Sequence, residues 1–193
     1  DAVVDPHRAD CPSEFKEICG AEVVFRLICV AEGAEPEELL FEYADILSVA
    51  VTADIMPLKG ENRSIVKEGI KKLKSAPSAG LSAIMSVAGI KCGDMNASRI
   101  AFGIAPRINA AGRLGNADIA FRLLTTDNES EALKLAKRID ELNTERRETE
   151  NEIFKKAAET IEKEGLDHRR VIVVSGKGWH PGVVGIAAAR ITE

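Results

Sequence analysis

The chain has 193 residues, of which 45% are hydrophobic and 30% charged, enough to bury one good core. No apolar run approaches the roughly 18 residues of a membrane span, and no segment has the layout of a secretion signal. A net charge of -5 argues against a protein that coats duplex DNA by overall charge, yet leaves room for a local basic groove or a store of metal-binding carboxylates.

Aromatic residues make up only 4% of the chain, so Leu, Ile, Val and Ala must build the core. The opening DAVVDP has no initiator Met and reads as the middle of a domain, with a short strand at AVVDP. From Ser13 to Glu32, apolar residues (Val23, Val24, Leu27, Ile28) recur at helical spacing, with Gly20 as a break between two helices. Pro36 suits the first turn of the next helix, whose apolar set is Leu39, Leu40, Tyr43, Ile46 and Leu47. The run SVAVTADIMPL follows, then a helix from about Asn62 to Lys74 with Gly69 on its inner face, then a short one from Leu81 to Ala88. Helical pieces broken at Pro106, Gly112 and Gly115 come next.

Thr126 and Glu129 have the spacing of a capping box and open a long charged helix to about Glu164. Its narrow apolar stripe predicts a connector lying across a surface. Beyond Gly165, VIVVS at 171–175 reads as a buried strand, followed by a glycine-rich turn and the helix GVVGIAAARIT. The expected class is therefore α/β. A mostly helical part covers 1–126, a connector helix 127–165, and the strand–loop–helix opening of a second α/β domain 166–193.

Four cysteines, Cys11, Cys19, Cys29 and Cys92, include no C-x-x-C pair, which argues against zinc and for reduced thiols in a cytoplasmic protein. Three segments carry candidate chemistry. Asp54 is a carboxylate among small and apolar residues, where a divalent cation would offset its burial; a turn aspartate before Pro57 is the plainer alternative. In APRINAAGRLG, Arg107, Asn109 and Arg113 stand among small residues, and no acid occurs from Met95 to Ala117. That makes a local basic patch, able to fork onto phosphate oxygens, or a helical hairpin with solvated arginines. In SGKGWHPGVVG, glycines that include Gly182 surround His180 at a helix start, where backbone amides and the helix dipole favour an anion. Trp179 could stack on a base there. His7 and His168 read as turn and solvated residues.

The order HRADCPSEFKEICG, VTADIMPLKGENR, APRINAAGRLG, ELNTERRETE and GWHPGVVGIAAARI resembles the bacterial RecJ family of the DHH phosphoesterase superfamily along nearly the whole chain. The resemblance implies the later part of a DHH domain, a connecting helix and the start of a DHH-associated domain, with a single DNA strand held between the domains. It implies a 5′-to-3′ exonuclease of DNA repair and recombination, using two Mn²⁺ or Mg²⁺ ions. It also implies partnership with single-strand-binding protein and a helicase. Asp54 matches a metal-binding aspartate; Arg107, Asn109 and Arg113 match a DNA-backbone segment; His180 and Gly182 match a phosphate-binding loop. The family's other metal motifs, with their Asp-His-His triplet, are absent from these residues, so the fragment alone is expected to be inactive. A DHH phosphodiesterase acting on short oligonucleotides or cyclic dinucleotides, and a noncatalytic replication scaffold, are the alternative readings.

Overall fold

The computed structural model describes residues 3–192. Helices α1 (Gly20–Glu32), α2 (Pro36–Ala53), α3 (Gly60–Ser75) and α4 (Ala79–Val87) are followed by the short α5 (Ala97–Arg99). A π-helical turn (Ile100–Ile104) joins α5 to α6 (Ala105–Arg113). After α7 (Ala117–Thr125) come α8 (Glu129–Glu164) and α9 (Pro181–Ile191).

The first pair of helices shows how local chemistry sets the boundaries. Glu22 accepts a hydrogen bond from the Cys19 amide at 2.7 Å and so caps α1, which starts at Gly20 rather than being broken there. The preceding residues 13–19 are not helical. The buried stripe of α1 is Glu22, Phe25 and Cys29, not the Val24 and Leu27 that the apolar spacing suggests, and those two remain exposed. Glu22 is only 2% exposed, and burial holds its carboxyl above the ordinary range. Pro36 does occupy the first turn of α2, which absorbs the apolar run through Ala53.

Helices α2 and α3 cross closely because Gly69 has no side chain. A Cβ there would stand 2.2 Å from Ser48 Cβ and 2.4 Å from the Ala44 carbonyl oxygen. At the same crossing the buried Asp45 is satisfied by Lys72 Nζ at 3.1 Å and by the Ser78 amide at 3.0 Å. Gly80 does similar work between α4 and α7, where its Cβ position lies 2.0 Å from the Leu123 carbonyl oxygen.

The main core is aliphatic: Leu73, Leu81, Ile84, Ile100, Ile104 and Leu123 are fully buried. Helix α8, about 54 Å long at 1.5 Å per residue, has a double role. Its first half puts Ala132, Ala136, Ile139 and Leu142 into this core, so it is not the surface connector expected from its narrow stripe. Small residues at the stripe let the other helices approach, and that closeness hides a seam which looks sparse in sequence. Its second half carries Ile153 against Val183 and Ala187 of α9. The N-cap is Asn128, whose Oδ1 accepts from the Glu131 amide at 3.0 Å; Thr126 lies two residues earlier and its hydroxyl donates to the Glu131 carboxylate at 3.1 Å. Arg138 lies between Glu141 and Glu145, at 2.8 and 3.3 Å, and relieves their repulsion.

The α/β expectation is met only in its helical part. Among the described residues there is no β-strand. Residues 171–175 are not a buried strand: Val171 is 78% and Val173 82% exposed. A strand's amides and carbonyls need a neighbouring ladder, and no second extended segment lies beside this one among the described residues. Ala2 of the expected opening strand lies outside the described residues, and Val3 and Val4 are exposed. All four cysteines are free thiols.

Candidate functional site

Asp54 is the C-cap of α2. The helix stops because the Met56 amide donates back to the Val51 carbonyl (3.1 Å) and the Ile55 amide to Thr52 (3.2 Å). That double closure needs a left-handed residue in the position Ile55 fills, at φ 56°. Gly115 fills the equivalent place after α6, at φ 80°. A β-branched residue there is unfavourable by about 1–2 kcal/mol. Ile55 is also 89% exposed, so its side chain gains nothing from packing. This strained turn stands beside an exposed carboxylate that makes no side-chain hydrogen bond or ion pair with described residues. Asp54 is thus not the buried carboxylate its apolar neighbours suggest. Among the described residues no three His, Cys, Asp or Glu side chains cluster closely enough to hold a metal ion. Asp54 supplies one ligand at most, and the residues present do not by themselves make a metal centre.

The basic patch is split by helical rotation. Arg107 and Asn109 are two residues apart on α6, about 200° around the axis at 3.6 residues per turn. Arg107 therefore faces α8, where its Nε donates to Asp140 Oδ1 at 2.8 Å and its Nη1 to the Gly103 carbonyl at 2.6 Å. This arginine is largely buried and paired, unlike the free phosphate fork expected of it. Asn109, Gly112 and Arg113 share the opposite, exposed side.

Arg113 is brought to the start of α9. Its Nη1 donates to the Gly182 carbonyl at 3.3 Å. Close approach is possible because Gly182 is glycine, its Cβ position lying 2.3 Å from the Arg113 carbonyl oxygen. The amides at this helix start are not open. His180 Nδ1 accepts from the Gly182 amide at 3.1 Å, and the His180 carbonyl accepts from Val183 and Val184 at 2.9 and 3.1 Å. Pro181 has no amide hydrogen. What remains free is the other ring nitrogen: with Nδ1 accepting, the neutral imidazole carries its proton on Nε2 and can donate it. Trp179 is folded onto its own loop, where the Cβ position of Gly176 falls 2.2 Å from the indole, and packs with Ile153 and Val183. It is not free to stack on a base.

Arg146 of α8 joins this junction; it lies in the ELNTERRETE segment but is not among the candidate site residues read from the sequence. Its Nη1 pairs with Glu150 at 2.6 Å and its Nη2 donates to Asn143 Oδ1 at 2.9 Å. Burial lowers its pKa; Glu150 opposes that, while Arg147 and Arg113 push in the same direction as burial. Glu150 also stands 3.7 Å from Arg190 of α9, which donates to Asn151 at 2.7 Å. At the junction of α6, α8 and α9, Arg146 and Arg190 therefore share the Glu150 carboxylate, with Arg113 nearby. The sequence signal for Arg146 is its place in ELNTERRETE, which by itself assigns that arginine no role.

Arg113, His180 and Gly182 thus come together. Asp54 and Arg107 do not join them through any hydrogen bond or ion pair, although α2 packs on α6. Comparison with known proteins gives one consistent answer. The chain is 38% identical over 192 residues to the single-stranded-DNA-specific exonuclease RecJ of Bacillus subtilis, covering 100% of this chain and 24% of that protein. The chain is homologous to one segment of RecJ. Identity to the RecJ of Thermus thermophilus is 37% over 190 residues, covering 97% of this chain and 27% of that protein. Identity to the RecJ of Escherichia coli is 31% over 210 residues, covering 100% and 36%. The chain therefore spans about a quarter to a third of the curated relatives it matches. The crystal structure of Thermus thermophilus RecJ with Mn²⁺ superposes with a TM-score of 0.80 at 36% identity, over 95% of this chain and 27% of that one. A manganese-bound exonuclease RecJ gives 0.79 at 38% identity, over 93% and 45%. No protein-family model matches the chain.

Proposed function

We propose that this chain is the strand-holding segment of a metal-dependent exonuclease acting on single-stranded DNA, using Mn²⁺ or Mg²⁺. The observation that carries the reading is the meeting of Arg113 and His180 at the α6–α9 junction, in a chain homologous to RecJ over its whole length. An arginine fork and an imidazole Nε2–H are both donors suited to phosphodiester oxygens. Asn109, exposed one turn before Arg113, adds an amide donor to the same side. Arg107, held by Asp140, fixes α6 on α8 and so aims that side. Gly182 contributes by letting the two helices touch.

Asp54 fits as one carboxylate ligand of a metal site whose other ligands come from outside these residues. The expected α/β domain after Gly165 belongs to the same reading: 171–175 would become a strand on meeting its neighbours in a longer polypeptide. Single-strand-binding protein and a helicase are the partners this reading favours.

The test is digestion of 5′-labelled single-stranded and duplex DNA with Mn²⁺. The polypeptide carrying this chain should digest the single strand, Asp54→Asn should abolish digestion while leaving strand binding in place, and the 193 residues alone should be inactive. Digestion by the 193-residue chain alone, or full activity of Asp54→Asn, would overturn the assignment.

A further inference from the structure

The strand surface does not end at Arg113. The π-turn and α6 form one continuous helical rod, and its exposed side has an unexplained aromatic: Phe102, 82% exposed. Phe102 precedes Asn109 by seven residues and Arg113 by eleven, which are two and three helical turns, so all three lie on the same side of the rod. The burial pattern agrees: Asn109, Gly112 and Arg113 are exposed, whereas Ile104, Ala105, Ala110 and Ala111 are buried. Arg99, one turn before Phe102, is also exposed, and no acidic residue occurs from Met95 to Ala117. The aromatic thus sits in an acid-free stretch of a net acidic chain, and it belongs to a π-turn, a geometry frequently found at functional sites.

We propose that Phe102 is a base-stacking platform for a single-stranded polynucleotide whose backbone is held at Arg113. This rests on the nucleic-acid reading above. A flat apolar ring with Arg99 one turn before it and Arg113 farther along the same side suits an unpaired base, because the base offers a π-face while the strand's phosphates seek the cations. Phe102 and Arg113 are about 16 Å apart along the rod at 1.5 Å per residue. That is roughly five nucleotides at the duplex rise of about 3.4 Å, and fewer in an unstacked strand. The platform therefore contacts a base a few nucleotides from the phosphate at Arg113, and it reads no sequence.

The experiment measures binding of a fluorescent oligo-dT to the polypeptide carrying this chain, without divalent metal so that nothing is digested. One abasic residue is walked along the oligonucleotide. Phe102→Leu keeps the apolar bulk and removes the ring; Phe102→Trp enlarges the ring. The expected result is that Phe102→Leu loses about tenfold in affinity with an unchanged salt slope, and Phe102→Trp binds at least as well as the wild type. One abasic position should weaken the wild type by the same factor and leave Phe102→Leu unaffected. Equal binding by Phe102→Leu and wild type, or an abasic scan that both proteins answer identically, overturns the platform. If the wild type itself fails to bind oligo-dT, the nucleic-acid reading falls first.

Discussion

Gly182→Ala isolates the α6–α9 contact. The added Cβ would lie 2.3 Å from the Arg113 carbonyl oxygen and 3.1 Å from its carbonyl carbon. Comfortable non-bonded contact is near 3.5 Å, so the helices must part by about 1.2 Å. Both obstructing atoms are backbone, and no side-chain rotation can relieve them. Overpacking of this kind costs about 1–3 kcal/mol. The separation also moves His180 away from Arg113, and a displacement near 1 Å at a reacting site costs on the order of 100-fold in rate. Gly185→Ala is the matched control on the same helix, because nothing lies within 4 Å of its Cβ position. That change should stabilise α9 by about 0.5–1 kcal/mol through helix propensity. Melting followed by circular dichroism, with digestion rates on single-stranded DNA, reads both. The reasoning is refuted if Gly182→Ala melts and digests like the wild type, or if Gly185→Ala is equally damaging.

Arg113→Ala should weaken oligo-dT binding and reduce the salt slope by about one, as loss of one phosphate contact requires. Arg107→Ala should instead lower the melting temperature, because it strips Asp140 of its partner, and should leave the slope nearly intact; titrations at several salt concentrations separate the two. Glu22 predicts a pH effect. Burial raises its folded pKa above the ordinary value of 4.5, so the folded state holds this proton more tightly than the unfolded state. Its contribution is therefore greatest below pH 4.5 and is lost as pH rises through the raised folded value. Glu22→Gln keeps an acceptor for the Cys19 amide and should flatten that decline, as measured by urea midpoints at pH 5 and pH 7; an unchanged pH dependence would remove Glu22 as its source.

Much of the local structure follows from the sequence alone. Pro36 at a helix start and the helix around Gly69 are set by backbone chemistry and short-range periodicity. The motif segments also carry the family resemblance directly, since side-chain type and order need no coordinates. What only the tertiary structure decided is which side each residue faces and what it meets there. Helical rotation sends Arg107 to Asp140 and leaves Asn109 and Arg113 in solvent, a division invisible when the three are read as one basic string. His180 takes up the Gly182 amide that would otherwise have been open to an anion, and Trp179 closes on Gly176. Small alanines make the first half of α8 a core element, because burial depends on how closely neighbours approach and not on how apolar a stripe looks. The strand at 171–175 fails for the opposite reason: its side chains are right, but a strand exists only when another backbone lies alongside to share its hydrogen bonds.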